Sequence, residues 1–479
     1  MARVLNGLKP ERVFYYFEEL SNIPRGSGNE KQVSDYLYNL FKEKGFEAIQ
    51  DESLNVIIKK PASKGYENAP TVMLQGHMDM VCEKNADVEH DFEKDPLKLR
   101  IIGDHVYATG TTLGADNGVG VAMALAIAED NTLKHPPLEI VITIDEERGM
   151  VGATNLDCSV LESKILINLD NGGEGVFTAG CAGGGGVIYT IPIKKTEQNK
   201  KFGFQLSVRG LVGGHSGADI HHGRGNANKI IGRILYDIKD MVEISKINGG
   251  SKENAIPREA DVVISSNCIE KLENKIEEWN TILKNEFSVS DKDVKIILKE
   301  AKLETKIFDE VTKEKVIAAI NLIPNGINTK DNEMNLVVSS NNLGVIETDK
   351  ENVIIRNSVR SSIETNIYKD LLPKMKIVSE VLNIEYEVSE FYPGWQYEKN
   401  SFIRELCVKT YERLNGKKAK VSAIHAGLEC GFLIKKMGQL DAVSFGPVMY
   451  GAHTPDEHLD IPSVGRTYDL LLEVLKNIK

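Results

Sequence analysis

Acidic and imidazole side chains follow several apolar runs of the sequence, at the point where each run stops. His77 and Asp79 come just after TVMLQG, and Asp170 follows KILINL. The same arrangement recurs at Glu146 and Glu147 after LEIVITI, at His453 downstream of DAVSF, and at Asp116 before an alanine-rich segment. One such residue alone is most often an ordinary core or surface residue, but the set predicts a functional site.

Divalent metal ions explain how so many carboxylates could lie close together. Bare carboxylates repel each other at short range, and a cation removes that repulsion. A mixed set of His, Asp and Glu ligands without cysteine suits zinc or manganese in a catalytic site with an open position. Five ligands with two further carboxylates fit a pair of ions, joined by a bridging carboxylate, better than a single ion. The residue types therefore indicate a two-metal hydrolytic centre.

The apolar runs are predicted to be strands of one α/β sheet. Helical patterns in ERVFYYFEEL and GSGNEKQVSDYLYNLFKEKG precede them. Several of the runs are apolar throughout, which is typical of strands covered on both faces. The carboxyl ends of parallel strands lie along one edge of a sheet, where ligand sites form. Residues that are distant in the sequence can therefore converge there.

The domain organisation is predicted from a change of pattern at a glycine run. GCAGGGG, at 180–186, has the composition of a hinge or boundary. Beyond it the pattern of alternating strands and helices runs twice, which suggests an internal duplication. We predict that 1–186 and 396–479 form one catalytic domain and that 187–395 is an inserted α+β domain.

Composition excludes several other classes of protein. The chain has 479 residues and a net charge of −12 without a polybasic block, which argues against nucleic acid or an anionic membrane as partner. No apolar stretch reaches the length of a membrane span. The first residues lack a signal-peptide pattern, so a cytoplasmic protein is expected. The six scattered cysteines predict reduced thiols. GADNGVGVAMA lacks the spacing of a dinucleotide-binding loop.

The ordered motifs resemble those of a known superfamily. GHMDMV, GADNGVGVAMALA, IDEERGMVGA, INLDN and GAHTPDEHLDI are similar to motifs of the co-catalytic zinc aminopeptidase/carboxypeptidase superfamily. Within it the sequence looks most like the cytosolic non-specific, or aminoacyl-histidine, dipeptidases, over essentially the whole chain. The resemblance implies a phosphorylase/hydrolase-like mixed sheet with helices on both faces, together with an inserted α+β lid.

The resemblance also implies roles for individual residues. Asp79 would orient a metal ligand, and Glu146 would be the general base. The pair Glu146 and Glu147 is expected in extended chain, so that the two side chains point in different directions. The implied ligands are His77 and Asp170 for one ion, Glu147 and His453 for the other, and Asp116 as the bridge.

The inserted domain carries the implied substrate contacts. His215, in GGHSG, matches a lid histidine that stabilises the oxyanion, and Asn254 matches a lid asparagine near the substrate. Simpler relatives carry an arginine thirteen residues further on, where this chain has Asn267. We expect Arg360, in NSVRSS, to bind the C-terminal carboxylate of the substrate instead, although a surface role is the alternative. Glu429, in IHAGLECG, is assigned no catalytic role.

The predicted function is metal-dependent hydrolysis of unblocked dipeptides, such as Xaa-His, with broad specificity. Zinc is the expected metal, while cobalt and manganese also suit these ligands. A homodimer is implied, and whether His215 acts in its own active site or a partner's stays open. A carboxypeptidase, a tripeptidase, an N-acyl-amino-acid deacylase and a non-catalytic metal-binding scaffold are the alternatives.

Overall fold

The computed structural model describes residues 3–332 and 335–479. The chain forms two compact units, each with its own apolar core. The first unit comprises Met1–Gly180, Tyr397–Ala423 and Leu428–Lys479, and the second comprises Cys181–Gln396 and Ile424–Gly427. Among the described residues, none of the helices combines the length and the apolar character that a transmembrane segment needs.

The first stretch of the chain alternates helices with short strands. These elements are α1 (Glu11–Ser21), α2 (Lys31–Glu43), β1 (Glu47–Gln50), β2 (Val56–Lys60), β3 (Val72–His77), β4 (Leu99–Ile102), β5 (His105–Ala108), α3 (Ala115–Glu129), β6 (Leu138–Thr143), α4 (Glu146–Gly149), α5 (Val151–Asn155), β7 (Ile165–Asn168) and β8 (Val176–Cys181).

The second unit is richer in strands. Its elements are β9 (Gly183–Pro192), β10 (Lys195–Glu197), β11 (Phe202–Arg209), β12 (Gly214–His215), α6 (Ala227–Ile238), β13 (Val242–Gly249), β14 (Ala255–Ile256), β15 (Ala260–Ser266), α7 (Ile269–Glu286), β16 (Lys295–Ala301), β17 (Lys306–Phe308), α8 (Glu310–Leu322), β18 (Gly326–Asp331), β19 (Leu336–Thr348), β20 (Asn352–Ser361), α9 (Glu364–Asn366), α10 (Leu372–Leu382) and β21 (Glu385–Val388).

The last stretch of the chain completes the first unit. It contains α11 (Phe402–Asn415), β22 (Lys420–Ile424), α12 (Glu429–Met437), β23 (Asp441–Ser444), β24 (Met449–Tyr450), β25 (His458–Asp460) and α13 (Ile461–Lys476). The sequence placed the insertion at 187–395 and did not anticipate that residues 424–427 group with the second unit.

A mixed sheet organises the first unit. Its strand order is β1-β2-β6-β3-β7-β23-β8-β22, and β6, β3, β7 and β23 are parallel neighbours. Every residue of β3, β6 and β7 is buried, as expected for strands covered on both faces. The predicted α/β class is confirmed.

A small and a large antiparallel sheet accompany the mixed sheet. In the first unit, β24, β25, β5 and β4 form a small sheet in that order. In the second unit, the described strands of the large sheet run β16-β11-β15-β13-β19-β20-β9-β21, with β18 paired to β19. The buried faces of α6, α7 and α8 supply much of that unit's core.

Candidate active site

The candidate site lies at the carboxyl edge of the parallel strands of the first unit. His77 is the last residue of β3 and pairs with Thr143, the last residue of β6. Gln75 of β3 pairs with Asn168, the last residue of β7. Glu146 and Asp170 follow these strand ends within three residues. The sheet register therefore brings the predicted strand-end residues to one edge.

Asp116 lies between two imidazoles. It belongs to the first turn of α3, where Asp116 and Asn117 have non-helical backbone angles. Asp116 Oδ1 lies 3.3 Å from His77 Nε2, and Asp116 Oδ2 lies 3.4 Å from His453 Nε2. Each carboxylate oxygen thus faces a different histidine, which is the arrangement of a carboxylate that bridges two cations.

Each imidazole also faces a second carboxylate. His77 Nε2 lies 3.7 Å from Asp170 Oδ1, and His453 Nε2 lies 2.9 Å from Glu147 Oε1. The ligand atoms of His77, Asp116 and Asp170 lie within 4.8 Å of one another, as do those of Asp116, Glu147 and His453. The five predicted ligands therefore form two groups that share Asp116.

The electrostatics of these groups fit divalent cations. Hydrogen bonds with His453 and His77 overcome the effect of burial and lower the pKa of Asp116 far below its ordinary value. Burial and then the charge of Asp116 raise the pKa of Asp170 to about 6. Hydrogen bonds with Asp116 and Glu147 raise the pKa of His453 to about 10. The raised pKa values of Asp170 and His453 indicate that this cluster favours bound positive charge, which divalent cations can supply.

Glu146 lies beside the two groups. Its carboxylate is within 4.8 Å of ligand atoms of His77 and Glu147. Burial raises the pKa of Glu146 well above its ordinary value. The charge of His77 acts in the opposite direction, and the charge of Asp170 raises this pKa further. The expectation of extended chain here was wrong, because Glu146 begins the short helix α4. Neighbouring helical residues also point in different directions, about 100° apart.

Asp79 contacts the side chain of His77 and the backbone of Glu146 and Glu147. Its Oδ1 lies 3.3 Å from His77 Nδ1 and accepts the backbone N–H of Glu146 at 3.1 Å. Its Oδ2 accepts the N–H of Glu147 at 3.3 Å and the hydroxyl of Ser27 at 2.7 Å. Contacts with His77 outweigh burial and lower the pKa of Asp79 to about 2. A carboxylate in this position orients the imidazole.

In the second unit, the three predicted substrate-binding residues lie near one another. His215 Nε2 is 3.5 Å from a guanidinium nitrogen of Arg360. His215 pairs with Ala255 across β12 and β14, next to the exposed Asn254. Arg360 is buried and also donates to the Tyr392 hydroxyl at 2.8 Å, so the alternative of a surface arginine does not hold.

The protonation of His215 follows from its backbone contacts. The N–H groups of Gly217 and Ala218 donate to His215 Nδ1 at 3.3 Å and 3.0 Å. Burial and the charge of Arg360 lower the pKa of His215. A neutral imidazole that accepts at Nδ1 carries its proton at Nε2, so this histidine offers a hydrogen-bond donor there.

Comparison with known proteins identifies the family. Residues 73–477 match the model of Peptidase family M20/M25/M40. The chain is 39% identical to the cytosol non-specific dipeptidase of Escherichia coli (strain K12), over 99% of both chains. The chain belongs to peptidase family M20/M25/M40. The resemblance inferred from the motifs is thereby confirmed.

Solved structures agree with the assignment to the M20 family. The aminoacylhistidine dipeptidase from Vibrio alginolyticus superposes with a TM-score of 0.94 at 37% identity, covering 99% of this chain and 98% of that one. The aminopeptidase PepT from Bacillus cereus ATCC 10987 gives a TM-score of 0.57 at 17% identity, covering 98% and 99%, and shows the fold alone.

Two residues of this M20 peptidase's site escaped the sequence analysis. Arg25 is buried and donates to the carbonyl oxygens of Met78, Asp79 and Gly114 at 2.9, 3.2 and 2.6 Å. The buried carboxylate of Glu457 accepts backbone N–H groups at the start of α3. Bonds from side chain to backbone leave no periodic pattern in a sequence, although the acidic residue within GAHTPDEHLDI was a visible signal.

A polar network lies beneath the edge that carries the candidate metal ligands. The buried Glu429 carboxylate accepts from Gln75 at 2.5 Å and from the Thr143 hydroxyl at 2.7 Å. Gln75 Oε1 accepts from Asn168 at 2.6 Å, and Asn168 Oδ1 accepts the Asp170 N–H at 3.2 Å. Burial raises the pKa of Glu429 to about 7. The network thus runs within the strands that end in His77 and Asp170.

Proposed function

We propose that this M20 chain is a two-metal dipeptidase that hydrolyses unblocked dipeptides, with zinc as its metal. One observation carries the proposal: the two oxygens of Asp116 face the imidazoles of His77 and His453, 3.3 Å and 3.4 Å away. The names of the two full-length relatives, a non-specific dipeptidase and an aminoacylhistidine dipeptidase, support this choice of substrate.

The proposed chemistry assigns proton transfer to Glu146. His77, Asp116 and Asp170 would hold one ion, and Asp116, Glu147 and His453 the other. Bound there, two ions supply Lewis acidity and lower the pKa of water. The Glu146 carboxylate takes the proton of the attacking water and then passes it to the leaving amine. Asp79 keeps His77 oriented throughout.

The second unit supplies the proposed substrate contacts. His215 Nε2–H donates to the developing oxyanion, the Arg360 guanidinium binds the C-terminal carboxylate, and Asn254 contacts the substrate. His215 and Arg360 are 3.5 Å apart. Groups so close together suit a substrate with one residue between the scissile carbonyl and the carboxylate, because one residue spans only about 3.8 Å.

Two further properties belong to the proposal. A cytoplasmic location is supported by the name of the Escherichia coli relative, a cytosol dipeptidase. A homodimer is implied by the resemblance of the motifs to those of the cytosolic dipeptidases. Sedimentation at micromolar protein concentration tests the dimer, since a monomer at all concentrations would contradict it.

Hydrolysis of Ala-His by reconstituted protein tests the function. The protein is stripped with a chelator and reloaded with zinc or manganese, and Ala-His is compared with N-acetyl-Ala-His and a tripeptide. We expect metal-dependent cleavage of free Ala-His alone. Glu146→Gln is expected to lower kcat by about 10²–10⁴-fold, because general-base catalysis contributes that much. Its metal content should stay unchanged.

Glu139→Gln is the matched control for this experiment. Glu139 is also a buried glutamate, but it lies near the opposite end of β6. Its substitution should leave kcat near that of the native enzyme. Cleavage of the acetylated substrate or of the tripeptide would favour a deacylase or tripeptidase. Metal binding without any turnover would favour the scaffold.

A further inference from the structure

The Glu457 carboxylate accepts hydrogen bonds from four backbone N–H groups just before and at the start of α3. Its Oε2 accepts from Leu113 at 2.7 Å and Gly114 at 2.9 Å, and its Oε1 accepts from Ala115 at 2.8 Å and Asp116 at 3.3 Å. Glu457 is 2% exposed. Leu113 and Gly114 precede α3, and the first N–H groups of a helix have no partner within the helix, so a carboxylate is a strong acceptor for all four.

Glu457 also belongs to the hairpin that carries His453. The Glu457 N–H donates to the Thr454 carbonyl at 3.0 Å, and the Thr454 N–H donates to the Gly451 carbonyl at 3.1 Å. His453 lies inside these turns with a φ of 65°, and its side chain is 50% exposed. Its position is therefore set largely by the hairpin backbone, which Glu457 anchors.

Arg25 holds the same segment from its other side. The Gly114 N–H donates to Glu457, while the Gly114 carbonyl accepts from Arg25 at 2.6 Å. A Cβ at Gly114 would lie 2.5 Å from an Arg25 nitrogen. Arg25 further donates to the Met78 carbonyl, just beyond His77. The segment that carries Asp116 is thus fixed between a carboxylate and a guanidinium.

We propose that Glu457 is a positioning residue of the metal centre, which fixes Asp116 and His453 relative to each other so that both can hold one ion. This inference rests on the two-metal function proposed above. It predicts that loss of the carboxylate weakens the ion held by Asp116, Glu147 and His453 more than the ion held by His77, Asp116 and Asp170, because only the former also depends on the hairpin that carries His453.

Cobalt binding to full-length, metal-free Glu457→Gln tests the inference without any activity assay. Glutamine keeps one acceptor oxygen. Its NH₂ group faces the two backbone N–H groups from which the other carboxylate oxygen accepted, and it cannot accept from them. Equilibrium dialysis should show one of two Co²⁺ ions bound about 10–100-fold more weakly, the usual cost of losing a group that orients a ligand. The visible spectrum at one equivalent should match that of His453→Ala.

Glu139→Gln is again the matched control. The Glu139 carboxylate is buried and accepts the N–H groups of Glu162 and Ser163 and the Ser163 hydroxyl, near the end of β6 opposite the site. The same chemical change there should lower the thermal midpoint and leave both cobalt affinities unchanged. A purely structural role of Glu457 would give that same pattern.

The outcomes separate the inference from the proposed function. Two ions bound by Glu457→Gln with native affinity would overturn the inference alone. If that variant does not fold, Glu457→Asp is used instead. Aspartate keeps the carboxylate, but its side chain is one methylene shorter, so the carboxylate lies farther from the N–H groups. Weaker binding of one ion by the aspartate variant would support the role, and native affinity for both would overturn it. Failure of the native chain to bind cobalt would overturn the proposed function, and the inference with it.

Discussion

Asp79 contacts His77 and the backbone of both Glu146 and Glu147. Asp79→Asn keeps one of its two acceptor oxygens and replaces the other with a donor. We expect kcat/KM for Ala-His to fall by about 10–100-fold, with a similar loss of zinc affinity, because the imidazole is no longer held. Steady-state kinetics and zinc competition with a chromophoric chelator measure the two effects.

Ser27 provides the control for Asp79. Ser27→Ala removes only the hydroxyl that donates to Asp79 Oδ2. The His77 contact and the two backbone contacts remain, so kcat/KM should fall less than tenfold. Equal losses in the two variants would show that the contact between Asp79 and Ser27, and not the contact with His77, sets the activity.

His425 predicts a pH dependence of stability in the second unit. Burial, followed by the positive charges of Arg360 and His215, lowers the pKa of His425 to about 3. An unfolded histidine titrates near 6.5, so the unfolded chain binds more protons between these values. The contribution to stability is therefore present above pH 6.5 and is lost as the pH falls below it.

Urea denaturation with chelator present, at pH 7.5 and at pH 5.5, measures this contribution. The native chain should lose up to about 1.4 kcal/mol more unfolding free energy across that interval than His425→Gln, which has no imidazole to titrate. Comparing the two proteins cancels the contribution of the carboxylates proposed as metal ligands, because both proteins contain them. Identical losses in both would contradict the assignment.

The first turns of α3 pass so close to the residues after β7 that Gly120 has no room for a side chain. A Cβ at Gly120 would lie 2.6 Å from the Leu169 carbonyl and 2.7 Å from the Asn117 side-chain oxygen. Gly120→Ala must therefore push the helix away from the residue that precedes Asp170. We expect a loss of about 1–3 kcal/mol of unfolding free energy, measured by urea denaturation, together with weaker zinc binding.

A second helical glycine separates crowding from helix propensity. A Cβ at Gly465, in α13, would lie 3.8 Å from the Lys9 carbonyl, which is an ordinary contact. Gly465→Ala should therefore stabilise the protein by about 0.5–1 kcal/mol, since alanine is the better helix former. Destabilisation of similar size in both variants would show that the close approach at Gly120 is not the cause.

The sequence predicted elements better than it predicted the contacts between them. Buried strands and their polar ends were visible because β3, β6 and β7 are rich in apolar residues and are buried along their whole length. The helical turn at Glu146 was missed, because a four-residue helix is too short to show a period. Arg25 and Glu457 were missed because they bind backbone atoms, whose position depends on the completed fold.

At the scale of the whole molecule, the described residues form two hydrophobic cores. One is built from residues of the first unit, around α1, α3 and the parallel strands. The other is built from residues of the second unit, around α6, α8 and its large sheet. All five proposed metal ligands belong to the first unit. An ion stabilises only those states in which its site is intact.

Zinc is therefore expected to protect the two units unequally. Free zinc at 100 times the dissociation constant of each site should add about 2.7 kcal/mol per bound ion to the opening free energy of the amides in β3, β6 and β7. Amides of β13 and β15 should keep the same protection with zinc and with chelator. Hydrogen exchange followed by mass spectrometry of peptides measures the protection in both units. In His453→Ala, zinc should add less protection to the first unit. Equal gains in both units would instead mean that they unfold as one cooperative body.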